Sequence, residues 1–212
     1  MTGIPKHSNQ NFPSLSWSSF RSSPLSVFDR IDKHFSGYLH RMNLGIIDYL
    51  LVIPGLICSS HCVPGIIILT YLTISIKFGI FFTISSVLTV VLTEIMKKNT
   101  QRDRPDFHTI NSRHMNLRSL LTNFSFPSGD SAQSAVLAFV FYYYYSNNNN
   151  NNHNHNNLLP SELYLLIMPI VMFARVYFGC HWISDVLIGA SIGATLTTIV
   201  YFIWNHFLHL SF

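Results

Sequence analysis

Long apolar stretches alternate with short polar islands along most of the chain. Four of these stretches are predicted to be membrane spans: residues 78–96, 131–145, 163–178 and 182–207. Residues 44–76 are also nearly all apolar, but Pro54 and Pro64 interrupt them, and a straight helix of that length exceeds a membrane core of about 30 Å. Two short, broken spans fit this region better, with one long tilted span plus a re-entrant piece as the alternative. The pattern therefore predicts an all-α integral membrane bundle of about six transmembrane helices.

The remaining segments are polar or amphipathic. Residues 1–24 are rich in Ser, Asn and Pro and lack the apolar core of a signal peptide, so they are predicted to form a disordered tail. Residues 25–42 carry apolar side chains at helical spacing and are predicted to form an amphipathic helix on the membrane surface, with packing on protein as the alternative. Residues 43–212 form the predicted transmembrane domain, with an Asn-rich low-complexity loop at residues 146–157.

Composition supports a membrane protein. The chain is 49% hydrophobic and only 10% charged, against about 25% charged residues in a soluble domain. The net charge of +4 is small, but six of the 13 Lys and Arg residues fall within residues 97–118. This local concentration indicates an anionic ligand rather than a nucleic-acid surface. Three scattered cysteines, Cys58, Cys62 and Cys180, predict buried thiols rather than disulfides or a metal site.

A few residues within the apolar stretches need separate explanations. Asp48 and His61 are ionisable groups at membrane depth, which indicates either function or a mutually satisfied polar pair. Gly189 and Gly193 are four residues apart in the last predicted span, and small residues at that spacing let a second helix approach closely. We interpret this pair as helix packing rather than chemistry.

Three polar islands each adjoin the end of a predicted span. They read Lys97-x6-Arg104-Pro105, then Pro127-Ser128-Gly129-Asp130, then Arg175-x5-His181-x3-Asp185. Counting spans from one island to the next places all three at the same side of the membrane, with the Asn-rich tract and the C-terminus at the other. One shared site is therefore predicted.

The residue types in the islands suit phosphoryl chemistry. Lys97, Arg104 and Arg175 provide three cations for the non-bridging oxygens of a phosphoryl group, which makes a metal ion unnecessary. Ser128 and Gly129 begin a predicted helix whose first backbone N–H groups form an oxyanion site.

The third island supplies the reacting group. His181 and Asp185 are four residues apart, so on a helix the carboxylate orients the imidazole and leaves its other nitrogen free to act as a nucleophile.

The three islands resemble the K-x6-RP, PSGH and SR-x5-H-x3-D motifs of the type 2 phosphatidic acid phosphatase and vanadium haloperoxidase superfamily. The resemblance implies a six-helix membrane bundle, a metal-free and cofactor-free reaction, and a phosphohistidine intermediate on His181. Its closest likeness is to the polyisoprenoid diphosphate phosphatases, which implies an endoplasmic reticulum membrane protein with cytosolic termini and a site facing away from the cytosol. The basic residues within 97–118 would place the site in the cytosol, but we attribute them to catalysis.

Two residues depart from the family pattern. Ala174 stands in place of a serine, and Asp130 stands in place of the histidine that protonates the leaving group in the family. Asp130 can act as the general acid only while it carries a proton, which nearby cations oppose and a bound phosphate dianion favours. A poor acid favours substrates with a good leaving group, such as diphosphates. Asn123 also begins a glycosylation sequon close to the membrane.

The sequence thus predicts a membrane lipid phosphatase that hydrolyses isoprenoid phosphates or diphosphates, a metal-independent phosphoric monoester or diphosphate hydrolase. The alternatives are a phosphatase of phosphatidate, lysophosphatidate or sphingoid phosphates, and a catalytically silent membrane protein that binds lipid phosphates. A lipid phosphate and the membrane are the expected partners, and nucleic acid is not.

Overall fold

The computed structural model describes residues 24–59, 62–105, 123–151 and 160–206, and this part of the chain is entirely helical outside its loops. Its α-helices are α1 (Pro24–Arg41), α2 (Ile47–Ile57), α3 (Val63–Thr73), α4 (Ile76–Thr100), α5 (Gly129–Asn151), α6 (Ile167–Tyr177) and α7 (Ile183–His206). A 3₁₀ segment, Ser161–Leu166, precedes α6. The predicted all-α membrane bundle is confirmed.

The interior of the bundle contains both polar and apolar side chains, whereas its outer surface is apolar, as expected of a protein surrounded by lipid. On α4 the side chains of Ser85, Thr89 and Thr93 are buried, whereas those of Val87 and Val91 on the opposite face are about half exposed. Helices α4 and α7 are long and apolar enough to cross a membrane, with mean hydropathies of 1.9 and 2.0. Two of these buried hydroxyl groups donate to a carbonyl of their own helix, Ser85 to Phe81 and Thr93 to Thr89, each at 2.9 Å.

Helix α5 runs through the centre of the bundle and packs closely on α7 at two glycines. A Cβ atom added to Gly189 would overlap the carbonyl oxygen of Ser128, and one added to Gly193 would overlap the carbonyl oxygen of Ala132. These glycines therefore set the separation of the two helices, which confirms the packing interpretation.

Helices α2 and α3 together cross the bundle once. Near the start of α2, Asp48 accepts a hydrogen bond from Tyr177 at the end of α6, whereas Tyr71 of α3 lies against Gly79 at the start of α4. Each helix has 11 residues, about 16 Å in length, so neither crosses a membrane core alone. The region predicted to hold two spans thus contributes one broken crossing, and the described helices cross the bundle five times. Asp48 pairs with Tyr177, and His61 lies outside the described residues.

Helix α1 lies on the end of the bundle where α7 begins. Ser36 accepts a hydrogen bond from the backbone N–H of Ile183 at 3.0 Å, and Asp32 accepts one from Ser184 at 3.0 Å. The end of α7 at His206 is about 36 Å away along the helix axis. The described helices therefore begin and end at opposite ends of the bundle, and the placement of both termini in the cytosol stays a prediction.

Two further predictions need correction. Helix α5 continues to Asn151, so the first residues of the predicted Asn-rich loop are helical, and Tyr201 of α7 donates to the Asn147 side chain at 3.0 Å. Asn is only a moderately poor helix former, so a long preceding helix can extend into the tract. Cys58 and Cys180 are buried as predicted, but Cys62 is exposed. The predicted tail at residues 1–24 lies almost entirely outside the described residues.

Candidate active site

The structure brings the three polar islands together at one end of the bundle. Nη1 of Arg104, from the first island, lies 3.1 Å from Nε2 of His181 in the third. Nη2 of Arg175 lies 2.8 Å from Oδ2 of Asp130 in the second. A Cβ atom at Gly129 would lie 3.4 Å from Nζ of Lys97, so the first and second islands also meet. The single shared site that span counting predicts is thus present.

His181 lies in the loop between α6 and α7 with its imidazole fixed at both nitrogens. Nδ1 lies 2.8 Å from the carbonyl oxygen of Ser125. Because a carbonyl oxygen only accepts, Nδ1 carries the proton, and Nε2 presents its lone pair to the guanidinium of Arg104. Asp185 lies farther from Nδ1, at 3.7 Å. The backbone of Ser125 therefore sets the tautomer, and the carboxylate that was expected to do so acts from a longer distance.

The surroundings of His181 favour its neutral form. Only 2% of the residue is exposed, and burial lowers the pKa of His181 to about 4. The hydrogen-bonding and negative charge of Asp185 oppose this shift, and the positive charge of Arg104 adds to it. At neutral pH the imidazole is uncharged, which is the form that a nucleophile requires.

Asp185 is fully buried in the first turn of α7 and is held by several donors. Oδ2 accepts hydrogen bonds from the hydroxyl of Ser125 and, at 3.0 Å, from the backbone N–H of Trp182. Oδ1 accepts from Nη1 of Arg102 at 2.5 Å. Sequence reasoning assigned no role to Ser125 or Arg102. No feature of the sequence identifies the groups that donate to the Asp185 carboxylate, although Arg102 lies within the first island.

The segment that precedes α5 binds Arg104 through several hydrogen bonds. Its Nε donates to the carbonyl oxygen of Asn123 at 2.8 Å, and Nη2 donates to the Asn123 side chain at 2.5 Å. Nη1 also donates to the carbonyl oxygen of Cys180 at 2.6 Å. The predicted sequon is therefore part of the site, since its Asn holds Arg104 and its Ser125 hydroxyl holds Asp185.

The start of α5 differs in one respect from the prediction. The N–H of Ser128 donates to the carbonyl oxygen of Asp185 at 3.0 Å, so this amide is already used. The Ser128 hydroxyl instead caps α5 by accepting from the N–H of Ser131 at 3.3 Å. The amides of Gly129 and Asp130 open the helix and have no acceptor within it, and the oxyanion site predicted here stays a prediction.

Lys97 and Arg175 each have an acidic partner. Lys97 pairs with Glu94, one turn earlier on α4, at 2.6 Å, and Glu94 is about half exposed. Arg175 pairs with Asp130 and also donates to the carbonyl oxygen of Gly55 in α2 at 2.7 Å. A phosphate group entering the site would compete with these carboxylates for the cations. Within the described residues, no three His, Cys, Asp or Glu side chains come together as metal ligands.

The fold and the site define a helical membrane protein with a histidine and several cations gathered at one end of the bundle. A model of the PAP2 superfamily matches residues 78–208, which is more than half of the chain. The chain therefore belongs to the PAP2 superfamily. It matches none of the curated proteins.

Two solved structures share the fold. The chain is 19% identical to a transmembrane PAP2 type phosphatidylglycerolphosphate phosphatase from Bacillus subtilis, with a TM-score of 0.66 over 87% of this chain and 88% of that one. It is 20% identical to Aquifex aeolicus LpxE, with a TM-score of 0.61 over 81% of this chain and 94% of that one. Both similarities extend beyond the matched family region, since each covers more than four fifths of this chain.

Proposed function

We propose that the protein is a membrane phosphatase that hydrolyses lipid phosphates or diphosphates through a phosphohistidine intermediate on His181. One observation carries the proposal. Nδ1 of His181 donates to a backbone carbonyl, so the lone pair of Nε2 points to Arg104, a cation suited to bind phosphoryl oxygens.

In the first step, Nε2 of His181 attacks the phosphorus atom and the bond from phosphorus to the leaving oxygen breaks. Arg104, Arg175 and Lys97 bind the non-bridging oxygens, which carry the charge of the transition state. The leaving oxygen takes a proton from Asp130, whose carboxyl group lies at the start of α5 beside Arg175.

In the second step, water attacks the phosphohistidine and the bond from phosphorus to Nε2 breaks. Asp130, now ionised, takes the proton from the water, and inorganic phosphate leaves. Throughout, the carbonyl of Ser125 keeps the Nδ1 proton in place, and the negative charge of Asp185 stabilises the positive charge that develops on the ring.

The chemistry of Asp130 favours diphosphates among lipid substrates. Its carboxylate is bound to Arg175 at 2.8 Å, so Asp130 is not available to the leaving oxygen until phosphate separates the pair. A prenyl diphosphate attacked at its terminal phosphorus releases a prenyl monophosphate, a weaker base than the alkoxide released from a monophosphate. The polyisoprenoid diphosphates are therefore the preferred substrate class, with glycerolipid and sphingoid phosphates second.

Release of phosphate from a prenyl diphosphate, by the purified protein in detergent with a chelator present, tests the proposal. We expect wild type to be active without added metal and the His181→Ala variant to be inactive. The wild-type reaction, quenched in base, should contain an acid-labile phosphoryl group on the protein. A requirement for Mg²⁺, or activity that survives His181→Ala, would contradict the mechanism.

One observation favours a second function, that of a catalytically silent lipid-phosphate binder. Asp130 forms an ion pair with Arg175, and it stands in place of the histidine that donates the proton in the family. A silent binder would retain a radiolabelled prenyl diphosphate on the protein without releasing phosphate, and His181→Ala would not change its affinity for a phosphonate analogue.

We further propose that α1 lies in the membrane interface on the side of the site. Its polar face contacts the start of α7, whereas its apolar side chains Phe28, Phe35 and Tyr38 are more than half exposed. A helix that packs its polar face on protein and leaves its apolar face outward fits a lipid surface.

The charge distribution supports a cytosolic placement of the site. Arg30, Lys33 and Arg41 belong to α1, which packs on the site end of the bundle, whereas Lys77 is the one Lys or Arg of the described residues at the other end. Under the positive-inside rule, the site end faces the cytosol. A glycosylation reporter fused after α7 should be modified; an unmodified reporter together with a modified one before α1 would contradict this orientation.

A further inference from the structure

Arg102 lies between α1 and the candidate active site and contacts acidic residues on both sides. Its Nη1 donates to Oδ1 of Asp185 at 2.5 Å and to the hydroxyl of Ser184 at 2.7 Å. Its Nη2 donates to Asp29 and Asp32 of α1, each at 2.8 Å. One guanidinium group thus joins two carboxylates of α1 to the carboxylate beside His181.

This contact supplies the positive charge that Asp185 needs. Asp185 is fully buried, and a buried carboxylate is costly unless a cation or several donors compensate it. Its Oδ2 has neutral donors, the Ser125 hydroxyl and the Trp182 amide, whereas Oδ1 is bound by the charged Arg102. Arg102 therefore both neutralises Asp185 and fixes the rotation of its carboxylate.

Helix α1 also fixes the turn of α7 that carries Asp185. Asp32 accepts a hydrogen bond from the Ser184 amide, and its other oxygen accepts from the Ser184 hydroxyl at 2.5 Å. Ser36 accepts from the Ile183 amide. These are first-turn amides of α7 with no acceptor within their own helix, so α1 acts as a cap supplied from a distant segment.

We propose that Arg102 is a positioning residue, through which Asp32 of α1 holds Asp185, and with it His181, in the geometry for attack. The proposal rests on the function proposed above. Helix α1 precedes the region matched by the family model, residues 78–208, so its carboxylates belong to this chain's own segment rather than to the matched domain.

A positioning role and a purely structural role give different pH profiles. The charged groups that act on His181 are Arg104, Asp185 and Asp130. Removing Arg102 leaves the negative charge of Asp185 uncompensated, so the protonated imidazole becomes more favourable. In the pH profile of kcat/KM, the decline at low pH (the acid limb) should then move to higher pH by about one unit. Loss of fold stability alone would lower the active fraction without moving this limb.

The first measurement compares Arg102→Gln, Arg102→Lys and Asp32→Asn with wild type on a prenyl diphosphate. We expect Arg102→Gln to lower kcat by about 10- to 100-fold with little change in KM, as is typical of residues that orient a reacting group. Arg102→Lys keeps the positive charge but not the two separate donor groups of the guanidinium. It should therefore recover part of kcat and return the acid limb to its wild-type pH. His34→Gln, an exposed change on α1, is the matched control and should match wild type.

A double-mutant cycle tests whether the two residues act through one another. If Asp32 acts partly through Arg102 and partly through its own bonds to Ser184, the Asp32→Asn and Arg102→Gln double variant should lose less kcat than the product of the two single losses. Independent, multiplicative losses would overturn the proposal, as would full kcat in Arg102→Gln. Competitive inhibition by orthovanadate shows that the phosphate site is intact in each variant. If Arg102→Gln loses that inhibition, Arg102→Lys and Asp32→Asn decide the question by the same criteria.

A readout without turnover separates this proposal from the proposed function. Trp182 lies 5.7 Å from the guanidinium of Arg102 and from Nζ of Lys33, so its fluorescence reports the seating of α1. With Trp17 and Trp204 changed to Phe, acrylamide should quench Trp182 more strongly in Asp32→Asn than in His34→Gln. Unchanged quenching would overturn the docking step, whereas wild type that releases no phosphate would overturn the proposed function and leave the docking result standing.

Discussion

The carboxylate of Asp130 forms an ion pair with Arg175 across the interface between α5 and α6, with 2.8 Å between Oδ2 and Nη2. Arg175 also donates to the carbonyl of Gly55, so α2 holds its other contact. The residue proposed to protonate the leaving group therefore occupies a cation proposed to bind phosphate. Substrate binding must separate this pair before Asp130 can act.

Asp130→His should change the relative use of diphosphates and monophosphates. A neutral imidazole does not pair with Arg175, and it donates a proton near neutral pH. We expect the ratio of kcat/KM for a prenyl diphosphate to that for a prenyl monophosphate to fall by roughly tenfold or more, mostly through faster monophosphate hydrolysis. Phosphate release from both substrates measures it. The same ratio in variant and wild type would rule out Asp130 as the cause of the preference.

The activity of wild type should persist to low pH. Because burial lowers the pKa of His181 to about 4, the imidazole keeps its lone pair above that pH and loses it as the pH falls through this value. We expect the acid limb of kcat/KM near pH 4, after correction for ionisation of the substrate phosphate measured by ³¹P NMR. A limb near 6.5, the usual value for histidine, would show that His181 is solvated in the active protein.

Ser125→Ala should lower kcat without a comparable change in KM. The change removes the hydroxyl that binds Asp185 but keeps the backbone carbonyl that binds Nδ1 of His181. We expect a loss of about tenfold, since the carboxylate loses one of its donors. Ser191→Ala, which removes an exposed hydroxyl bonded to its own helix, serves as the control. Equal losses of kcat in the two variants would show that the Ser125 hydroxyl has no role in the site.

Gly193→Ala should destabilise the bundle, whereas Gly65→Ala should not. A Cβ at Gly193 would overlap the Ala132 carbonyl, but one at Gly65 meets nothing within 4 Å. We expect a loss of about 1–3 kcal/mol at Gly193 from forced separation of α5 and α7. At Gly65 the better helix propensity of Ala should leave stability equal or slightly higher. Thermal unfolding in detergent compares the two, and a Gly193→Ala protein as stable as wild type would contradict the close packing.

The sequence predicts the convergence of the site because motif spacing and the alternation of spans constrain it. Three islands at span ends have few ways to avoid one another once α4, α5, α6 and α7 run antiparallel. Two hydrogen bonds were not predictable in this way: the one that Asp185 accepts from Arg102 and the one that His181 donates to Ser125. The acceptor is the backbone carbonyl of Ser125, which any residue could supply, and Arg102 contacts Asp185 only because the chain folds back after α4.

The path of residues 44–76 through the bundle was not predictable for a different reason. Two prolines in an apolar stretch are compatible with a turn between two spans or with a kink within one. Similarly, the helical period of α1 shows that it is amphipathic but not which face meets protein. The structure places Asp32 and Ser36 against α7, and the apolar face outward.

Under the proposed orientation, the five crossings of the described helices separate the start of α1 from the end of α7 by the thickness of the membrane. Fluorescent-protein fragments fused before α1 and after α7 of one molecule would remain in different compartments and could not reassemble. A tag at the far end of α7 would also leave the docking surface of α1 untouched, whereas a bulky fusion before α1 would lie beside the charges that hold Asp185.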